Sequence, residues 1–301
     1  MYKPFCISRL MIMKQKILVA GSNGQLGKEI REKAVLYPQF EFLFLVKEDF
    51  PIQDKEAVQN IFHSYRPQYF INCAAYTAVD KAEEEKELAF RINADAVGLL
   101  AAACKEYYTK FIHISTDYVF DGDAKTPYEE NAPVSPQSVY GASKLEGEKL
   151  ALQNNPDSII IRTSWVYSSY GKNFVKTMLR LLQEKKEISV VNDQLGSPTY
   201  AANLAELILF IIASQNWQQG IFHFSNEGVI SWYEFAAFIK ELSGSDCIIH
   251  PVTTAQYPTA AKRPAWSVLD NRKIQQVYGI RLKNWQDSLA ECLSKLINPP
   301  R

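Results

Sequence analysis

The sequence predicts an α/β fold, a doubly wound parallel sheet with a smaller C-terminal α/β lobe. Two observations carry this. Short apolar runs alternate with segments of helical periodicity through the first half of the chain, the pattern of parallel strands joined by crossover helices. The first run, Lys16–Ala20, leads directly into Gly21-Ser22-Asn23-Gly24-Gln25-Leu26-Gly27 and then an amphipathic helix, Lys28–Leu36. Strand, glycine turn and helix N-terminus are the parts of a dinucleotide site in a Rossmann-like sheet. Glycine lets the backbone approach a pyrophosphate, and the helix start offers unpaired N–H groups and the positive end of its dipole. The spacing Gly-x-x-Gly-x-x-Gly departs from the commoner Gly-x-Gly-x-x-Gly.

Phe42–Val46 reads as the second strand. Lys55–Tyr65 has helical spacing and stops at Arg66-Pro67, because the residue before proline is pushed out of the helical region. Tyr69–Cys73 is the third strand and leads into Ala74-Ala75-Tyr76-Thr77. A long helix is expected from about Glu84 to Tyr107, then a fourth strand, Phe111–Ser115. Helix Tyr140–Leu152 and strand Ser158–Arg162 complete the unit. Gly21, Ala74, Ser115 and Thr163 all fall at the carboxyl ends of strands, where such sheets bind ligands. Beyond Ser164 the pattern loosens. Phe174–Glu184, Ala201–Ala213 and Trp232–Leu242 look helical, the last capped by Ser231. Ile221–Phe224 looks like a strand, and Pro251–Ala265 reads as loop. The expected division is a nucleotide-binding domain with the catalytic residues over 14–165, then a mainly substrate-binding lobe over 166–301, some of whose segments return to the sheet. Residues 1–13 read as an extension or disordered arm, with Met11 or Met13 as the natural start.

The 301 residues balance 33 Lys+Arg against 33 Asp+Glu, which gives no reason to expect nucleic acid or an anionic membrane as partner. No signal peptide is evident, and no run reaches the roughly 20 apolar residues of a membrane span. Cys6, Cys73, Cys104, Cys247 and Cys292 are scattered and form no Cys-x-x-Cys, as in a reduced, cytoplasmic chain with free thiols. His63, His223 and His250 do not cluster, so a catalytic metal is not expected. His113, inside the fourth strand, reads as a packed or surface histidine rather than a catalyst.

Tyr140 and Lys144 form Tyr-x-x-x-Lys. An unperturbed phenol titrates near 10. A lysine one helical turn away shares its face and stabilises the phenolate, so the pair can pass a proton to or from a substrate oxygen.

With Ser115-Thr116-Asp117-Tyr118-Val119-Phe120-Asp121-Gly122, Tyr140-Gly141-x-x-Lys144 and Arg162-Thr163-Ser164-Trp165-Val166-Tyr167, the chain resembles the extended short-chain dehydrogenase/reductases. Among them it is most similar to the dTDP-4-dehydrorhamnose reductase family. Asn72 to Glu83, Asn192 to Thr199 and Arg263-Pro264 add to the likeness, which covers nearly everything from Lys16 onward. The resemblance implies hydride delivery from NADPH or NADH to the 4-keto carbon of dTDP-4-dehydro-β-L-rhamnose. It implies Tyr140 as proton donor, Lys144 as the group that lowers the tyrosine's pKa and holds the nicotinamide ribose, and Thr116 as hydrogen-bond donor to the keto oxygen. A hydroxyl and a poised phenol would meet the charge that hydride addition builds.

The cofactor residues are read as Gly21, Asn23, Gly24, Gln25, Leu26, Gly27, Ala74, Ala75 and Tyr76, with Tyr140 and Lys144. The sugar-contacting residues are read as Thr77, Val79, Thr116, Asp117, Tyr118, Tyr140 and Trp165. Asn93 resembles the superfamily's structural asparagine. The second strand ends in Val46-Lys47-Glu48-Asp49. There Lys47 suits a 2′-phosphate and either acid suits a ribose, so both cofactors stay open, with a lean to NADPH. Some family members are dimers bridged by magnesium; Glu29 resembles one such position, the other ligands are unassigned, and monomer and homodimer both stay open. Two alternatives remain. One is an epimerase or dehydratase, although dehydratases place a glutamate where Tyr118 stands. The other is a non-catalytic relative similar to the regulatory subunit of methionine adenosyltransferase.

Overall fold

The computed structural model describes residues 14–297; the extension expected over 1–13 lies outside them. Six strands make one wholly parallel sheet: β1 (Gln15–Ala20), β2 (Phe40–Leu45), β3 (Tyr69–Asn72), β4 (Lys110–Thr116), β5 (Ile159–Thr163) and β6 (Gly220–His223). Their order is β6-β5-β4-β3-β1-β2. The chain leaves β1 on one side to form β2 and returns to β3 on the other. The crevice between the carboxyl ends of β1 and β3 is therefore the switch point of the sheet, and Gly21 and Ala74 lie on its two lips.

The sheet divides two apolar cores. Ile17, Val19, Ile71, Ile112 and Ile161 face one side, against Leu26, Ile30 and helix Ala201–Ser214. Leu18, Ala20, Phe70, Phe111 and Ile160 face the other, against Val58, Phe62, Val97 and Leu100. Side chains alternate along each strand, and with both faces covered the strands read as unbroken apolar runs.

Some expected boundaries shift. The first helix is Gln25–Lys33 and begins inside the glycine motif, because Gly24 is its N-cap. The helix expected over Glu84–Tyr107 is three pieces: Lys86–Phe90, a π turn at Arg91–Asp95, and Ala96–Glu106. After Trp165 the chain returns twice to the sheet. Helix Ala201–Ser214, apolar nearly all round, covers one face, and β6 extends the edge beside β5.

The lobe has its own core, with Tyr167, Val175, Met178, Tyr200, Phe235 and Leu289 at its centre. It is built from helices Phe174–Glu184, Trp232–Ser243 and Trp285–Ile297 and a parallel pair, Glu187–Val191 with Ile248–Val252. That second strand runs into the stretch read as loop. Pro251 is tolerated there because an edge strand can lose one donor. Ser231 caps its helix as expected, in a reciprocal box with Glu234. No helix among the described residues is long and apolar enough to cross a membrane. Cys73, Cys104, Cys247 and Cys292 are free thiols.

Candidate active site at the carboxyl ends of the strands

The glycines of the first loop do different jobs. Gly21 has φ +70, and a Cβ there would lie 2.6 Å from the Ala74 nitrogen. A Cβ at Gly27 would lie 2.5 Å from the Gly21 carbonyl oxygen. These two let the turn close against β3 and the helix. At Gly24 a Cβ would meet one atom, the Gly21 oxygen, at 3.2 Å; its bareness matters on the open side. The N–H groups of the first helical turn, Gln25 to Gly27, have no partner within the helix. Leu26 buries its side chain in the core, so what it offers a ligand is backbone. Asn23 is exposed, and Gln25 accepts a hydrogen bond from Asn173 of the lobe at 2.9 Å. Free donors, a dipole and a bare Cα fit a pyrophosphate.

The loop after β3 is held from behind. Asn93, buried in the π turn, accepts from the Tyr76 N–H at 2.8 Å and donates to the Tyr76 carbonyl at 3.0 Å and to Ser143 Oγ at 3.0 Å. One amide thus fixes Ala74–Tyr76 against helix Val139–Asn154. That helix comes very close. A Cβ at Gly147 would lie 2.0 Å from the Asn93 carbonyl oxygen, and one at Gly141 2.2 Å from that of Tyr118.

Thr116 ends β4, and Tyr140 and Lys144 lie on the first turns of helix Val139–Asn154, which Ser138 caps. Burial raises the Tyr140 phenol above its ordinary value, and a hydrogen bond with Thr116 opposes the rise. The Thr116 hydroxyl also donates to Asp117 at 2.9 Å. Lys144 is buried, and its amine donates to the Ile114 carbonyl at 2.6 Å and lies 3.2 Å from His113 Nε2. Burial lowers its pKa to about 8, against a smaller opposing effect of Glu148. Glu148 continues the stripe Tyr140, Lys144, Glu148 at intervals of four. It is buried, takes two nitrogens of Arg162 and accepts from Ser115. That spacing is the signal in the sequence that points to Glu148.

On the substrate side Asp117 is buried, one of its oxygens has no partner, and burial raises its pKa to about 7. The Tyr118 ring meets Tyr140 edge-on, with centroids 5.6 Å apart. Its hydroxyl accepts from Arg263 at 3.2 Å, and Arg263 also pairs with Asp80 at 2.7 Å. Asp80 and Arg263 form one wall of a cavity of about 740 Å³ lined further by Phe174, Met178, Val190, Gln194 and Trp232. Thr77 is exposed and Val79 half-buried in the segment just before Asp80, and neither lines the cavity. Trp165 has φ +48, rare for a bulky residue, and stacks on Trp232 with centroids 3.6 Å apart.

The structure thus gathers Thr116, Asp117, Tyr118, Tyr140 and Lys144, and places the glycine loop at the same carboxyl edge of the sheet, with β3 between. Trp165 is turned into the lobe. Glu29 is buried and accepts from Ser168 at 2.6 Å. Among the described residues no three His, Cys, Asp or Glu side chains gather to hold an ion.

A family model described as the RmlD substrate binding domain matches residues 14–298. The chain belongs to this family. A dTDP-4-dehydrorhamnose reductase from Aggregatibacter actinomycetemcomitans is 42% identical over 284 residues, 91% of this chain and 97% of that one. A crystal structure of a dTDP-4-dehydrorhamnose reductase from Clostridium acetobutylicum is 43% identical, with TM-score 0.90 over 94% of this chain and 100% of that one. Another from Bacillus anthracis, in complex with NADP, is 38% identical, with TM-score 0.90 and the same shares of each chain. The RmlD family members and this chain share the parallel α/β fold that the sequence predicts.

Proposed function

We propose that the chain reduces the 4-keto group of dTDP-4-dehydro-β-L-rhamnose to dTDP-L-rhamnose, using NADPH or NADH. The observation that carries the reading is the arrangement at the end of β4. Thr116 and Tyr140 converge at the same edge of the sheet as the glycine loop, one strand away from it, and the residue after Asp117 is a tyrosine, not a carboxylic acid.

The bound nicotinamide would supply the hydride. The remaining work falls to this chain. Gly24 and the Gln25–Gly27 amides hold the pyrophosphate, with Asn23 and Ala74–Tyr76 beside it. Thr116 turns its hydroxyl hydrogen from Asp117 to the keto oxygen, and Tyr140 gives that oxygen its proton as negative charge grows there. Lys144 holds the ribose and steadies the phenolate left behind. Asp117, Tyr118, Thr77 and Val79 orient the sugar. The cavity behind Arg263 is wide and apolar enough for a thymidine diphosphate, with Arg263 near the phosphates. Trp165 shapes that pocket through Trp232. The site asks for no nucleic acid or membrane partner, and the chain acts as a monomer or homodimer in the cytoplasm.

A dehydratase would need an acid to protonate a departing hydroxyl, and Tyr118 is poorly suited to that at neutral pH. Its pKa is raised further, first by burial and then by the Asp117 charge. One experiment separates the readings. The protein is given NADPH with the 4-keto sugar nucleotide and, separately, dTDP-glucose. Loss of cofactor absorbance and a product two mass units heavier are expected in the first. Water loss from dTDP-glucose without net cofactor use would overturn the reductase. No turnover of either would favour the regulatory-subunit alternative.

A further inference from the structure

Lys144 and its neighbours form a chain of hydrogen bonds in which each donor can be assigned. The Ala74 N–H donates to Asn72 Oδ1 at 3.1 Å. That fixes which way the Asn72 amide points, so its NH₂ faces His113 Nδ1 at 3.1 Å and donates to it. A neutral imidazole carries one N–H. With Nδ1 accepting, the proton is on Nε2, and Nε2 lies 3.2 Å from Lys144 Nζ. An ammonium at Nζ would set two donors against each other.

We infer that His113, held by Asn72 as its Nε2–H tautomer, is a positioning residue that donates to the Lys144 amine and so favours the amine over the ammonium. The inference rests on the proposed reading only in giving Lys144 a role beside Tyr140.

The surroundings agree. His113 is fully buried, and burial, then the nearby Lys144 charge, hold it well below its ordinary value. It is therefore neutral, and the tautomer is its only freedom. The charged and titratable groups around Lys144 are Tyr140 and Glu148 on its own helix, His113 on β4, Arg162 on β5, and Asp117 and Tyr118 just beyond β4. Glu148 favours the ammonium, but Arg162 and Ser115 already occupy its oxygens. The one remaining contact of Nζ, the Ile114 carbonyl, accepts from either state. His113 is thus the group that distinguishes them. A lysine that titrates near neutrality can hold charge against a phenolate and also release its proton, which suits it to reset Tyr140 between turnovers.

Two spectroscopic measurements on the whole protein without substrate decide this, so their failure and that of the reductase reading are separate results. Nitrogen-15 spectra of the wild type report the His113 tautomer directly, with Nε2–H expected; an Nδ1–H ring overturns the proposal. Carbon-13 spectra of labelled lysine follow the Lys144 titration, its resonance identified by its loss in Lys144→Arg. In His113→Gln the side-chain amide is free to turn its oxygen to Nζ. The Lys144 midpoint should then rise by about one pH unit. An unmoved midpoint in a folded His113→Gln protein overturns the proposal.

Discussion

Burial makes the Tyr140 phenol hold its proton more tightly, so the donor role proposed for it depends on a partner arriving with developing negative charge. Tyr140→Phe removes the hydroxyl and little volume. Turnover should fall by roughly 10²–10⁴-fold with cofactor affinity kept, read by steady-state kinetics and by fluorescence titration with NADPH. Near-normal turnover would remove Tyr140 from its role. Asp117 makes a second prediction, about stability. Its folded pKa, about 7, lies above the ordinary carboxylate value. Between about pH 4 and 7 the folded protein therefore binds more protons at this site than the unfolded chain. Stability from Asp117 is then present at low pH and lost as pH rises through 7. Asp117→Asn keeps the shape and cannot ionise. Its melting temperature relative to wild type should rise from pH 5 to pH 8, by on the order of a few degrees. A difference that shrinks over that range would show the carboxyl to be ionised well below neutrality. The glycines divide in the same way. Gly24→Val should fold and lose NADPH binding, because its Cβ meets little of the protein. Gly27→Val should lose the fold, because backbone stands 2.5 Å from its Cβ.

At the scale of elements, the π turn Arg91–Asp95 repositions one residue so that Asn93 can serve the Tyr76 backbone while Gly147 packs against its carbonyl. π turns recur at functional sites for such reasons. Asn93→Ala would leave the Tyr76 N–H and carbonyl and Ser143 without their partner. A loss of about 1–3 kcal/mol per stranded buried group, seen as a lower melting temperature, should come with weaker cofactor binding, because Ala74–Tyr76 loses its support. A stable variant with normal affinity would show that the loop is held by other contacts. The sequence could give a helix here but not its π turn, because one extra residue barely disturbs the apolar period. The strands of the main sheet were legible because burial on both faces makes them continuous apolar runs. Glu187–Val191 and Ile248–Val252 were not, being a half-exposed pair with Pro251 inside the second. Helix Trp285–Ile297 carries a readable period, with Trp285, Leu289, Cys292 and Leu293 buried. In the site, Thr116, Tyr140 and Lys144 stood out as a motif. His113 and Asn72 did not, because their meaning lies in a hydrogen bond across neighbouring strands.

Over the whole molecule, one of the polar ties between the sheet and the lobe borders the cavity. Asp80 follows β3, and Arg263 comes from the segment after the lobe's last strand. Arg263 reaches Asp80 at 2.7 Å and the Tyr118 hydroxyl at 3.2 Å, while Ala261 donates to Asp80 at 3.1 Å. Pro264 packs so closely on Gly122 that a Cβ there would lie 2.6 Å away. The segment is thus fastened at both the cavity wall and the end of the loop that follows β4. Both members of the ion pair are partly exposed, so its value to stability is small, about 0–1 kcal/mol. Its position is what matters, because it borders the cavity on one side and braces the ring beside Tyr140 on the other. Arg263→Ala should leave the melting temperature and NADPH affinity near wild type. KM for the sugar nucleotide should rise by roughly tenfold, the effect of about 1.4 kcal/mol of lost binding. A fall in kcat with KM unchanged would assign Arg263 to bracing Tyr118 rather than to binding. Loss of both cofactor affinity and melting temperature would mean instead that the tie holds the two parts of the fold together.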